Sequence, residues 1–374
     1  MRHFLLFLAV LGLIAALVLR IRYGGGDDYP DLTTPPLLPA SALEEFVSYP
    51  EPIGNVAVSP DGRLFFTVHP ESRPRGNRLL EYIDGAAIPY PNGGVQPHLF
   101  DTVLGLVVDD HNRLWTIDSG NHGFGAARLL AFDLATGDLV HDHTFDDTIA
   151  PRGSFLQDLR VTSDGLTVLI ADASVWRKQP ALVVYDTETR GARRVLDSHA
   201  SVSAENYLIR NSLRDMRFAG GLVALKTGVD GIELDAANEW VYYAAINHSG
   251  LYRIRLDALG NAELPTRELE NAVERFSDKP LSDGLSADAD GNVYLTDVEH
   301  GAVFVVGPDR ALRTLIRSPR IRWADSLSFG PDGWLYLADS AIPELVLKSK
   351  DHIRSKGPYF IFRFKPPLAA GTDL

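Results

Sequence analysis

The strongest constraint on this chain is one short unit repeated six times. Its clearest copy is SDGLSADADGNVYLTDV, from Ser282 to Val298. Similar copies begin at Gln157 (QDLRVTSDGLTVLIADA) and Ala324 (ADSLSFGPDGWLYLADS). Three more begin at Ile53 (IGNVAVSPDGRLFFTV), Val103 (VLGLVVDDHNRLWTID) and Val229 (VDGIELDAANEWVYYAA). Each reads as a hairpin: an apolar strand, a turn, then a second apolar and aromatic strand. Asp61-Gly62, Asp164-Gly165, Asp290-Gly291 and Asp332-Gly333 supply turns, because glycine accepts positive φ at little cost. Asn112 and Asn238 stand at the turns of two other copies.

The copies start at roughly 40- to 70-residue intervals, the period of four-stranded propeller blades. Outer strands follow the hairpins as ARLLAFDL, ALVVYDT, GLYRIRL and AVFVVG, and the sixth blade resumes at Tyr359–Phe364 after an insertion. Crossover helices, which a parallel α/β sheet requires, are missing. The pattern predicts an all-β chain with one six-bladed β-propeller over residues 43–366; a pair of β-sandwiches is the rival. Residues 198–227 read as a long excursion before the fourth hairpin.

Phe4 to Leu19 is an unbroken apolar run, with Arg2 before it and Arg20 and Arg22 after it. At ~1.5 Å per residue it falls slightly short of a ~30 Å hydrocarbon core, and Ile21 with a snorkelling Arg20 would extend it. No small-x-small cleavage site follows, which favours a retained anchor over a cleaved signal peptide. Basic residues on both flanks orient it weakly. Residues 1–22 are thus expected to be an anchor or signal helix that places the domain on the periplasmic or extracellular side. The Gly- and Pro-rich stretch 23–42 reads as a linker and 367–374 as a tail.

A net charge of -13 opposes phosphate backbones, so no nucleic-acid partner is expected. The absence of cysteine excludes disulfides, thiol catalysis and thiolate metal sites. No serine-hydrolase elbow, P-loop, dinucleotide fingerprint or HExxH motif is found. The sequence does not fix the oligomeric state.

One regularity points to a site. Asp158 and Asp172, Asp283 and Asp297, and Asp325 and Asp339 share one spacing. In an antiparallel hairpin the start of the first strand lies beside the end of the second, so each pair marks the same end of its blade. First strands line a propeller's channel. Asp158, Asp230, Asp283 and Asp325 are therefore expected at one mouth, with Asn55 equivalent in blade 1 and Leu104 in blade 2. Such a ring of oxygen ligands could hold Ca²⁺ or Mg²⁺, or the ammonium of an amine. Asp118, Asp172, Asp297 and Asp339, at second-strand ends, read first as caps on turn amides. Asp118 is kept as a ligand candidate because blade 2 lacks the first-strand carboxylate. His122, just after that hairpin, could reach the mouth, and His248 and His300 could share its rim. His141 and His143 are expected on an outer strand, and Trp115, Trp240 and Trp334 in packing between blades.

The repeats and the text between them resemble the Yellow/major royal jelly protein family, notably its bacterial members, from Pro50 to Pro366. The carrying segments are LWTIDSGNHG from Leu114, SFLQDLRV from Ser154, GVDGIELD from Gly228, DKPLSDGLSADADGNVYLTDVEHGAV from Asp278 and WADSLSFGPDGWLYLADS from Trp323. The resemblance implies a six-bladed propeller, usually exported, with a small-molecule pocket on its axis. Insect members include biogenic-amine binders and proteins linked to dopachrome conversion, so binder and enzyme both stay open. A disulfide-framed pocket cannot carry over to a chain without cysteine. A more distant resemblance is to the senescence-marker/gluconolactonase propellers. It implies a metal-assisted lactonase, with a divalent cation on axial carboxylate and amide side chains. A non-catalytic envelope scaffold is the third alternative.

An anchored, exported domain makes a direct prediction. Full-length protein should fractionate with membranes and be cut by external protease in spheroplasts. A soluble product lacking residues 1–22 would mean cleavage, and cytoplasmic protein would end the export reading.

Overall fold

A computed structural model describes residues 1–367. Among these residues six four-stranded antiparallel sheets surround one axis as blades of a propeller. Their inner strands are Ile53–Val58, Val103–Val108, Leu156–Val161, Val229–Leu234, Leu285–Ala287 and Ala324–Phe329, the six sequence copies in order. Blades 1 to 5 run outward in chain order from inner to outer strand. The tail expected at 367–374 lies outside the described residues from 368 onward.

Blade 6 is built from both ends of the domain. Its inner strands are Ala324–Phe329 and Leu335–Asp339, and its third is Tyr359–Phe364. Its outermost strand is Glu44–Tyr49, which pairs with the third from Glu44 opposite Arg363 to Tyr49 opposite Tyr359. Val47 is buried in this seam.

Alternating side chains of each blade pack against the next, so the core is a set of wedges between sheets. Trp115 and Ile117 of blade 2, for example, meet Leu159, Ile170 and Tyr185 of blade 3. Trp115 is fully buried and donates from Nε1 to Asp109. Trp240 and Trp334 sit at the edges of such wedges, under the guanidinium groups of Arg253 and Arg363. His141 lies on the outer strand of blade 2, as expected, and its Nε2 meets the Tyr185 hydroxyl at 2.8 Å.

The N-terminal helix, Arg2–Tyr23, has an apolar span long enough to cross a membrane, with none of that span buried, and only its last turn touches the propeller, through Arg20, Arg22 and Tyr23. The Gly- and Pro-rich stretch after it is not a free linker. Asp27 bridges to Tyr207, the Tyr29 hydroxyl donates to Lys279 O, and the amides of Leu37 and Leu38 donate to Thr314 O and Leu315 O on blade 5. Composition suggested flexibility, yet these bonds pin the segment as a strap. The excursion at 198–227 forms two miniature ladders, Arg210–Asn211 with Arg214–Asp215 and Arg217–Phe218 with Val223–Ala224. It folds over one end of the axis.

Among the described residues the seam in blade 6 is the only place where strands from the two ends of the domain pair within one blade. Val47→Asp would bury an unpaired charge there and should cost at least about 3 kcal/mol of unfolding free energy. Glu44→Gln on the exposed end should change little. Denaturant unfolding of the two variants checks this.

Candidate functional site

The axial site begins with a defect repeated in the sheets. In five blades the pairing of inner and second strands slips close to the strand start. The slips fall between Ile53 and Val56, Val103 and Leu106, Leu156 and Leu159, Val229 and Gly231, and Ala324 and Ser326. In blade 5 the regular pairing starts only at Leu285, two residues after Asp283. A bulge bends its strand and re-aims the extra side chain. Here the re-aimed residues are Asn55, Leu104, Asp158, Asp230 and Asp325, with Asp283 at the matching point of blade 5. Second-strand threonines tie the irregular backbone down: Thr67 Oγ1 accepts from the Asn55 amide, and Thr296 Oγ1 from the amides of Asp283 and Gly284. Glycine beside the bulge lets neighbouring blades touch. A Cβ on Gly105 would sit 2.0 Å from Gln157 O, and one on Gly284 2.5 Å from Asp325 O.

Four aspartates are therefore buried together at the axis. They divide three to one rather than sharing one mouth. Asp230, Asp283 and Asp325 line a cavity of about 330 Å³ under the excursion. Asp158 and Asn55 line a second cavity, of about 460 Å³, at the opposite end. Asp158 is drawn that way by the Asn55 amide, which donates to it at 2.9 Å, and by the Arg160 charge, which Glu233 holds through two bonds of 2.6 and 3.0 Å.

The three remaining carboxylates meet different partners. Asp283 accepts from Trp323 Nε1 at 2.6 Å. Asp325 Oδ2 lies 3.6 Å from His69 Nε2. Asp230 Oδ2 has no hydrogen-bond partner, and the neighbouring Asp283 carboxylate helps to hold the Asp230 pKa up. His69 Nδ1 accepts from the Glu71 amide, so Nε2 carries the ring proton and presents it towards Asp325. Burial lowers the His69 pKa to about 4, so the ring is neutral.

Burial dominates the titration of the cluster. Asp158 is raised to about 6 and Asp283 to about 7, chiefly by desolvation. Asp230 and Asp325 lie well above the ordinary carboxyl range, first from burial and then from the Asp283 charge. Lys279, fully buried behind the cluster, is lowered to about 7 by burial and donates to Ile246 O and Pro280 O.

The walls above this floor are apolar, including Leu104, Phe155, Val175, Ile246, Trp323 and Ile342. Glu71 stands at the rim, and His122 Nδ1 approaches it at 3.2 Å in ion-pair rather than hydrogen-bond geometry. His122 is thus at the mouth but does not line the cavity. Asp118 does not line it either. Its carboxylate accepts from the amides of Asp101, Thr102 and Gly120 and from the Thr102 hydroxyl, and so shapes the loop. Asp172, Asp297 and Asp339 cap loop amides in the same way. His248 receives the Gly250 amide and His300 pairs with Asp297, both away from the axis.

The family model described as major royal jelly protein matches residues 102–316. The chain belongs to the major royal jelly protein family. Among curated proteins no sequence matches. Solved structures of similar fold include a gluconolactonase from Xanthomonas campestris (14% identity, TM-score 0.56, covering 92% of this chain and 97% of that one). A luciferin-regenerating enzyme is similar at 9% identity and TM-score 0.57, covering 87% and 95%. A calcium-binding protein, regucalcin, from Agrobacterium tumefaciens is similar at 15% identity and TM-score 0.54, covering 89% and 96%. At these identities the likeness is one of fold.

In this royal jelly family member the donor chemistry, hard carboxylate oxygens, would suit a divalent cation. The arrangement does not: among the described residues no three His, Cys, Asp or Glu side chains are placed to hold one ion. Asp283 is engaged by Trp323, and Asp158 faces the far cavity with Asn55. The residues do not fit a resident metal as they stand.

A carboxyl raised from its ordinary 3.8 to about 7 keeps its proton in the folded chain after the unfolded chain has lost it. Its contribution to stability is full below the unfolded value and is lost as pH rises through about 7. His69 and Lys279, both lowered, act in the opposite direction. The clean readout is therefore the difference between variants. The melting temperature of the ligand-free wild type should fall relative to Asp283→Asn as pH rises from 3.8 towards about 7 and level off above it, with Asp283→Asn more stable at pH 8 by about 1 kcal/mol or more. Parallel pH profiles would contradict the assignment.

Proposed function

We propose that the protein is an exported binding propeller whose axial cavity takes an amine with an apolar or aromatic body. The observation that carries this reading is the floor of the cavity. Asp230, Asp283 and Asp325 crowd there out of water, and one Asp230 oxygen lacks a donor. Buried like charges are costly unless a cation or hydrogen-bond donors answer them. An ammonium group supplies both in one atom, with three N–H donors and a positive charge. The apolar walls supply the matching environment for the rest of such a molecule.

The chemistry sets the linkage between binding and pH. Bringing an ammonium to the floor favours ionised Asp283 and Asp230, so binding releases protons and tightens as pH rises through neutrality. The test is calorimetry on the full-length protein with phenethylamine, its neutral alcohol analogue and a simple lactone, alongside elemental analysis. Amine binding should exceed alcohol binding, grow with pH, and weaken about tenfold, or about 1.4 kcal/mol, in Asp283→Asn. Equal binding of amine and alcohol would sink the reading. A stoichiometric divalent ion with lactone turnover would replace it with the metal-assisted hydrolase.

A further inference from the structure

The apolar N-terminal helix ends on the rim of the axial cavity, and no slack separates the two. Arg20 Nη1 donates to Gly221 O at 2.6 Å, on the excursion that roofs the cavity. Arg22 Nη2 donates to Arg177 O at 2.9 Å, and the Tyr23 hydroxyl to Trp176 O at 2.9 Å. Tyr23, the last helical residue, itself lines the cavity. Lys226 Nζ then fixes Gly24 O, and Asp27 is bonded to the backbone of Asn206 and Leu208. If the helix crosses a bilayer, its terminal arginines and tyrosine sit at headgroup depth, where such residues anchor spans. The rim bonded to them must sit there too.

The rim has the composition of a membrane-contact face. Trp176 and Phe124 pack together and are 46% and 45% exposed, and Leu347 is 79% exposed. Trp176 and Leu347 also line the cavity mouth. Between them the chain, acidic by 13 charges in total, gathers basic side chains: Arg22, with Lys178 and Lys226 bonded to backbone carbonyls, on one side, and Arg73, Lys348 and Lys350 on the other. Exposed aromatics among cations match an anionic lipid headgroup layer.

We infer that this face of the propeller lies on the surface of an anionic phospholipid bilayer, so that the axial cavity opens into the interfacial layer and is filled from the membrane. The second clause rests on the cavity reading above; the first stands without it. A ligand reaching the carboxylates by this route is an amphiphile that partitions into lipid, not a freely soluble metabolite.

The natural absence of cysteine makes the test direct, since one introduced thiol reports alone. Full-length Trp176→Cys, Leu347→Cys and Leu166→Cys proteins, spin-labelled, are reconstituted in phosphatidylcholine vesicles containing phosphatidylglycerol. Leu166 is 42% exposed in the first turn of blade 3, at the opposite end of the axis, and serves as the control. Labels at 176 and 347 should collide several-fold less with a water-soluble nickel chelate, and several-fold more with oxygen, than the label at 166. Equal access to the chelate at all three positions would overturn the inference, as would a protein recovered without its first 22 residues. Depth is measured without any amine, so this result is independent of what the cavity binds.

Discussion

The ring closes through one antiparallel pairing, between Glu44–Tyr49 and Tyr359–Phe364. Six twisted sheets meet around an axis only if the last is held against the first, and the inner strands face one another only while the ring stays shut. The closure also dictates the course of everything before residue 44. Because the closing strand comes from the N-terminal side, the segment ahead of it must travel along blades 5 and 6. That segment is the strap, bonded at Leu37 and Leu38 to the outer strand of blade 5 and at Asp27 to the excursion. The N-terminal helix is thereby delivered to the cavity rim as a consequence of how the propeller is closed.

The same closure generates the electrostatic tension at the axis. Blades that approach closely enough for Gly105 and Gly284 to touch the next backbone leave little room for water between first-strand side chains. Carboxylates placed there lose hydration before they gain partners, which is why burial leads every shift in the cluster. Asp158 is relieved by Asn55 and Arg160, while Asp230 keeps an oxygen without a donor. A stability-optimised axis would carry amides or apolar groups instead. A site that destabilises the empty protein in order to hold a cation is a familiar trade, and perturbed carboxyls in a cleft mark such sites.

The blade count was legible because each hairpin writes its own turn and strand alternation, as in Asp290-Gly291 between Leu285–Ala287 and Val293–Asp297. The convergence of first-strand aspartates was legible from their spacing, but the bulges that aim them were not, since a slip in pairing leaves no mark on composition. That is also why Asp158 was expected beside Asp230 although Asn55 and Arg160 turn it to the other cavity. The strand Glu44–Tyr49 escaped notice because EEFVSY has no repeat partner; its place is set by a sheet at the far end of the chain. His69 and Trp323 were missed as site residues for the same reason, each meeting its aspartate only across blades. Asp118 illustrates the reverse error. A carboxylate at a strand end looks like a ligand until the loop amides of Asp101, Thr102 and Gly120 are seen to occupy it.

The two ends of the axis differ in how much chain was spent on them. At the end where inner strands finish, most connections are tight turns such as Asp61-Gly62 and Asp164-Gly165, the exception being two short helices, Leu256–Gly260 and Thr266–Asn271. At the other end lie the longer segments: residues 69–78, 119–127 and 173–180, the excursion at 198–227 and the insertion at 340–358. Loops cost conformational entropy to order and carry function where a rigid scaffold presents them. Here they supply His69, Glu71, Trp176, Phe218, Ile342 and Leu347 to one cavity. The blades thus provide a charged floor that the repeat places symmetrically, and the irregular segments provide walls that break that symmetry. A floor shared by several blades can hold a charge of one kind, whereas selectivity among molecules bearing that charge must come from the walls, which are unique to each blade. The helix that ends at Tyr23 joins those walls, so the apolar span and the axial cavity share one face of the protein.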